Sequence, residues 1–122
     1  MPLSTAAKNT MLDAFVSSVG TVYASLHTGA PGSTGASEAA GGSPAYARQS
    51  LAWSSASGGV KQTSSAATFN VPAGTYSWVG YWSAVTSGTY LGYDAVTPAT
   101  FAGQDVYTLT AAQINLSAVA SA

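Results

Sequence analysis

The hydrophobic pattern of the chain changes once, at Gly20. Before it, Leu12, Phe15, Val16 and Val19 recur at i, i+3, i+4 and i+7, the spacing that makes one apolar stripe on a helix. Ser4 or Thr5 supplies an N-cap, and Gly20 is a natural stop. Lys8, Asn9 and Asp13 lie off the stripe and are expected to face water. So short a helix is marginal alone, so its stripe must dock on something. After Gly20 the period becomes two. Val22, Ala24 and Leu26 alternate with Thr21, Tyr23, Ser25 and His27, as in a half-buried strand.

Residues 28–44 break the pattern with a long Gly/Ser/Ala/Pro-rich loop, a length that in a small domain is often functional or mobile. Alternation resumes at residues 45–54, with Ala47, Gln49, Leu51 and Trp53 on one face and Tyr46, Arg48 and Ser50 on the other. A turn at 55–59 leads to a Ser/Thr-rich strand over 60–71, which places Phe69 and Val71 on one side. Pro72, Ala73 and Gly74 make a tight connection to the strongest strand, residues 75–84. There Tyr76, Trp78, Gly80 and Trp82 share one face, and Ser77, Val79 and Tyr81 the other. A hairpin turn at Thr86, Ser87 and Gly88 follows, then a strand over 89–96, a return through Pro98 and Gly103, and short last strands around 106–110 and Ile114/Leu116. One helical pattern followed by six to eight short strands predicts a mainly β fold. We expect an antiparallel β-sandwich or small barrel with a short N-terminal helix: a single domain over 1–122, helix in 1–20 and sandwich in 21–122.

Composition sharpens this picture. Charged residues make up 6% of the 122-residue chain, against about 25% in a typical soluble domain. With three cations, four carboxylates and a formal net charge of −1, there is no basic patch for nucleic-acid phosphates or an anionic membrane. No apolar run is long enough to span a bilayer, and the first twenty residues do not read as a signal peptide. Without cysteine there is no disulfide, thiol nucleophile or Cys-type zinc site.

Chemistry-bearing residues are few and scattered. The lone histidine, His27, reads as an exposed strand-end residue rather than a general base. Asp94 and Asp105 fall near turns, where aspartate caps its own backbone. No G-x-S-x-G elbow, phosphate-binding glycine loop or metal-ligand spacing occurs. The chain is therefore expected to be non-enzymatic, with no catalytic residues, cofactor or metal. Arg48 is expected to anchor the loop that carries Glu38, or else to make an inter-subunit contact. Trp78 and Trp82 are expected to fill the core beside Phe69 and Leu51, the other reading being a sugar-stacking platform. Tyr81, Tyr90 and Tyr93 are expected at the surface. Together with Arg48 and Glu38 they are the candidate interface residues.

The blocks STAAKNTMLDA, LHTGAPGSTGASE, GGSPAYARQS and FNVPAGTYSWVGYWSA resemble a family of small tailed-bacteriophage virion proteins, labelled tail-fibre or minor structural proteins. The resemblance spans most of the chain and fades after about residue 110. It implies a virion location, assembly in the host bacterial cytoplasm, no catalytic residues, and other virion proteins as partners. Scarce charge fits such a setting, because an interface between subunits then need not desolvate ions. Fibres usually show length, repeats or heptads, and with none of these in the sequence the chain is expected to be a capsid decoration subunit on the major capsid protein, and a homo-oligomer. A tail-fibre protein on tail proteins is the alternative. A carbohydrate-binding module contacting a host-surface glycan is the alternative of another class.

Overall fold

The computed structural model describes residues 2–116, so the last six positions of the expected 21–122 sandwich lie outside it. Helix α1 spans Thr5–Val19. The Ser4 hydroxyl caps it by accepting from the Ala7 N–H at 3.1 Å. Gly20, at φ +86°, ends it with its N–H donated to the Val16 carbonyl. The caps are where the sequence places them, but the docking face is rotated. Leu12 and Val16 are buried, whereas Phe15 and Met11 are 37% and 51% exposed.

The polar row expected in water faces protein instead. Asn9 Oδ1 accepts from the Gly59 N–H. Asp13 Oδ1 accepts from the Ala56 N–H at 2.9 Å and from Lys61 Nζ at 2.6 Å. Lys8 is buried. Positions 8, 9, 12, 13 and 16 form as regular a helical stripe as the apolar one. The turn at 55–59 selects it, because its backbone N–H groups need acceptors that only the polar row offers.

Among the described residues eight strands follow: β1 (Val22–His27), β2 (Gln49–Leu51), β3 (Val60–Gln62), β4 (Ala67–Val71), β5 (Gly74–Trp82), β6 (Tyr90–Phe101), β7 (Asp105–Leu109) and β8 (Gln113–Asn115). All pairs are antiparallel. A four-stranded sheet runs β2-β1-β5-β6, and β3–β8 and β4–β7 form two-stranded ribbons. Among the described residues the fold is mainly β with one helix, and the sheets do not close into a barrel. The region expected as one strand over 60–71 is two strands. The strand expected to end at 96 runs on to Phe101 through Pro98. Proline is tolerated there because β6 is an edge strand, and the register slips beside it.

The core lies between the four-stranded sheet and the β4–β7 ribbon. The alternation of β1 decides which sheet face is buried: Val22, Ala24 and Leu26 point in. Pairing then carries the choice across the sheet, with Val22 opposite Leu51, Leu26 opposite Val79 and Ala24 opposite Tyr81. Phe69, Val71, Tyr107 and Leu109 pack against them. Phe69 meets Tyr107 edge-on at 6.3 Å.

This corrects two expectations about β5. Val79 and Tyr81 face the core, and Tyr81 is 7% exposed rather than a surface ring. Trp78 and Trp82 lie half-buried on the opposite face, where their β1 neighbours are Tyr23, Ser25 and His27 and not Val22, Ala24 and Leu26. Tyr76, beyond a register shift between it and Trp78, is nonetheless buried in the core, its ring 6.0 Å from Phe101 and its hydroxyl donated to the Pro72 carbonyl.

Candidate functional site

The outward face of β1 and β5 is covered by the 28–44 loop, and this covered face gathers most of the polar chemistry of the chain. Gly80 makes it possible: a Cβ there would lie 2.5 Å from Ser25 Oγ and 2.7 Å from His27 Nε2. A glycine inside a strand marks such a close approach. His27, expected exposed, is completely buried. Its Nδ1 lies 2.7 Å from the Ala36 carbonyl, which can only accept, so Nδ1 carries the proton. Nε2 then accepts from the Ser25 hydroxyl at 2.7 Å. Ser25 Oγ in turn accepts from the Trp82 indole N–H at 2.8 Å. The relay Trp82→Ser25→His27→Ala36 satisfies every polar group in it and requires a neutral imidazole. Burial holds the His27 pKa below its ordinary value, against the opposing pull of the Ala36 carbonyl and Glu38.

Arg48 fastens the loop. It donates through Nε and a terminal nitrogen to the two oxygens of Glu38, both at 2.9 Å. Its other terminal nitrogen reaches the carbonyls of Ala84 and Ser87 in the β5–β6 turn. The guanidinium lies 3.7 Å from the centre of the Trp82 ring, in cation–π contact. Glu38 also accepts from the Tyr46 hydroxyl, which itself accepts from the Leu26 N–H. Burial raises the Glu38 pKa, but the hydrogen bonds from Arg48 and Tyr46 outweigh it, and the carboxyl stays below its ordinary value. Backbone bonds Thr28→Ser37 and Ala39→Leu26 close the base of the loop. Gln104 clamps its far end by bonding Ser43 N and the Pro44 carbonyl.

The candidate interface residues therefore separate into groups. Arg48 and Glu38 are spent on the loop. Tyr90 is half-buried, 5.1 Å from Trp82, and donates its hydroxyl to the Gly32 carbonyl. Tyr93 is 46% exposed and meets Trp78 edge-on at 5.7 Å. Tyr81 is on the core side, donating to Asp94 Oδ2 at 3.0 Å. Asp94 is thus mid-strand rather than in a turn, whereas Asp105 does bond its neighbouring N–H, that of Val106. The sequence reading missed the relay, although Gly80 within an otherwise bulky strand was its visible trace. It also missed a cleft of about 460 Å³ between β6 and β8, with Phe15, Val22 and Tyr81 among its lining residues.

Among the described residues no group of three or more His, Cys, Asp or Glu is placed to hold a metal ion. Among the described residues no helix is long and apolar enough to cross a membrane. No curated protein matches the chain. The family described as podophage GP4 fiber I protein gp80 matches residues 2–117, from the helix cap through the last strand. This span takes in the helix, the covered sheet face and the loop that the early sequence blocks outline, and the chain accordingly belongs to the podophage GP4 fiber I protein gp80 family, as a bacteriophage virion protein.

Proposed function

We propose that this chain is a non-enzymatic structural subunit of the fibre apparatus, attached to tail proteins rather than decorating the capsid. The observation that carries the reading is the match of residues 2–117 to a family described as a fibre protein. The absence of heptads or repeats favours a compact decoration subunit, but it bears on shape and not on location. The non-enzymatic part is supported by how the titratable groups are used. Both ring nitrogens of His27 are hydrogen-bonded inside the fold, Glu38 is held by Arg48 and Tyr46, and Asp13 by Lys61. Each is engaged by a partner within the fold, and Asp94, which lines the cleft between β6 and β8, accepts from the Tyr81 hydroxyl.

The test is quantitative gel analysis of purified virions combined with immunogold labelling. A handful of copies per particle with label on the tail is the expected result. Hundreds of copies with label on the head would return the chain to capsid decoration. A glycan-binding role has weaker support, because Trp78 and Tyr93 cross at 64° and offer no flat platform. Specific binding of the chain on a glycan array would add that role.

A further inference from the structure

We propose that the tip of the covering loop, residues 29–37, is a flap latched by His27: the neutral ring holds it shut over Trp82, and protonation of the ring in mild acid lets it open while the base of the loop stays attached. The inference goes beyond the structural-subunit reading and does not depend on where in the virion the chain sits.

Tip and base are fastened by different chemistry. The tip carries no charged residue. It is held by the Ala36 carbonyl on His27 Nδ1 and by the Gly32 carbonyl on the Tyr90 hydroxyl. Pro31 is buried in the closed position, and Gly35 seats against Trp82, where a Cβ would lie 2.5 Å from the ring. The base is held by Arg48 through Glu38 and by the Ala39 N–H donated to the Leu26 carbonyl. Of all these ties, only the one to His27 involves a group that titrates near neutral pH.

Hydrogen-bond roles make the latch one-sided. In the closed form Nε2 accepts from the Ser25 hydroxyl, while Ser25 Oγ accepts from the Trp82 indole. A proton on Nε2 turns that acceptor into a donor, and Ser25 must then aim its own hydroxyl proton elsewhere. Ser25 is completely buried, so the hydroxyl is orphaned beside a buried cation, and both are costly. Opening the tip gives both groups to water.

The charges facing the ring do not offset this cost. Glu38 approaches from the loop and Arg48 from the segment before β2; they act in opposite directions on His27 and are paired with each other. The Tyr46 hydroxyl is engaged by Glu38 and the Leu26 N–H. Tyr23 and Ser25 on β1, and Trp78, Gly80 and Trp82 on β5, bring no charge. Burial accordingly keeps the closed-form His27 pKa below the ordinary 6.5. Glu38 stays ionised in mild acid, because its bonds from Arg48 and Tyr46 outweigh the upward push of burial.

The test is solvent exchange of individual N–H protons by NMR on the full chain, corrected for the intrinsic pH dependence of exchange. The Trp82 indole N–H and the Thr28 N–H, which bonds Ser37, report on the tip, and the Ala39 N–H reports on the base. A proton taken up only on opening raises the open fraction about tenfold between about pH 7.5 and pH 5.5. Tip protection should therefore fall by that factor while Ala39 holds. His27→Gln, whose amide can donate to Ala36 and accept from Ser25 without gaining charge, should flatten the response. Gly35→Ala should leave the tip open already at neutral pH. Tip protection that ignores pH, or that is lost in step with Ala39, overturns the proposal, as does the same fall in His27→Gln. Should a variant fail to fold, the contrast between Trp82 and Ala39 in the unaltered chain decides alone. Virion location is read separately, so the latch and the fibre reading can fail independently.

Discussion

The two faces of the four-stranded sheet are buried by different means. One is covered by the β4–β7 ribbon and filled with Val22, Ala24, Leu26, Val79 and Phe69, side chains without polar atoms. The other is covered by a loop rich in small residues, which cannot supply much apolar area. It is held by a bidentate ion pair, a four-member hydrogen-bond relay and a cation–π contact. The first face gains from area removed from water and tolerates approximate fits. The second depends on satisfied directional bonds, so a single lost partner leaves an expensive orphan.

The contrast is testable by substitution. Phe69→Ala should have the largest effect, about 3–5 kcal/mol by chemical denaturation, because the ring is completely buried in the core. Trp82→Ala should cost clearly less, since its ring is half-buried under the loop; equal losses would erase the distinction between the faces. Arg48→Ala should cost about 2 kcal/mol, less than a fully buried pair because Glu38 keeps some water contact. Limited proteolysis should then cut within 28–44 before the domain melts. Arg48→Lys should restore only part of the loss, because an ammonium cannot serve Glu38 and two carbonyls together. If cleavage is unchanged in Arg48→Ala, the loop is held by something else.

Gly80→Ala should cost about 1–2 kcal/mol by pushing Ser25 and His27 apart, with the core rings undisturbed in near-ultraviolet dichroism. The smallest effect is on pH dependence. His27 is neutral in the fold and its pKa lies below the ordinary 6.5, so the unfolded chain takes up the proton first as pH falls. Its contribution is fully present above about pH 6.5 and is lost as pH drops through the lowered folded value. Glu38 also has a lowered pKa, so its share is lost only below about pH 4.5. Melting temperature should therefore decline between about pH 7 and pH 5, and His27→Gln should remove that decline. A wild-type profile flat over this range would mean that the ring is not held neutral.

How legible each face was follows from the same physics. The helix caps, the turn at Ser87 and Gly88, the strand count and the inward set of β1 follow from local rules, and the structure has them. For β5 both faces carry large rings, and the burial choice is made by pairing with β1, which no local pattern in β5 contains. The same holds for α1, where two overlapping stripes exist and the unpaired backbone at 55–59 selects the polar one. The salt bridge of Arg48 to the loop was readable from scarcity, since few cations were available to hold so long a segment. The relay through His27 was not, because it joins residues 57 positions apart through a contact that exists only once the sheet has formed. The virion setting came from sequence blocks rather than from any chemistry of the site.

The internal use of charge also shapes how fast this protein meets its partners. Of three cations and four carboxylates, Arg48 with Glu38 and Lys61 with Asp13 are spent within the fold, leaving almost no field outside it. An approaching partner is neither steered nor repelled at a distance, so encounter should proceed at the unsteered rate of about 10⁵–10⁶ per molar per second. That rate should hardly change with ionic strength, because there is little to screen. Discrimination between right and wrong neighbours during assembly then falls to dissociation, with poorly matched contacts separating sooner than matched ones.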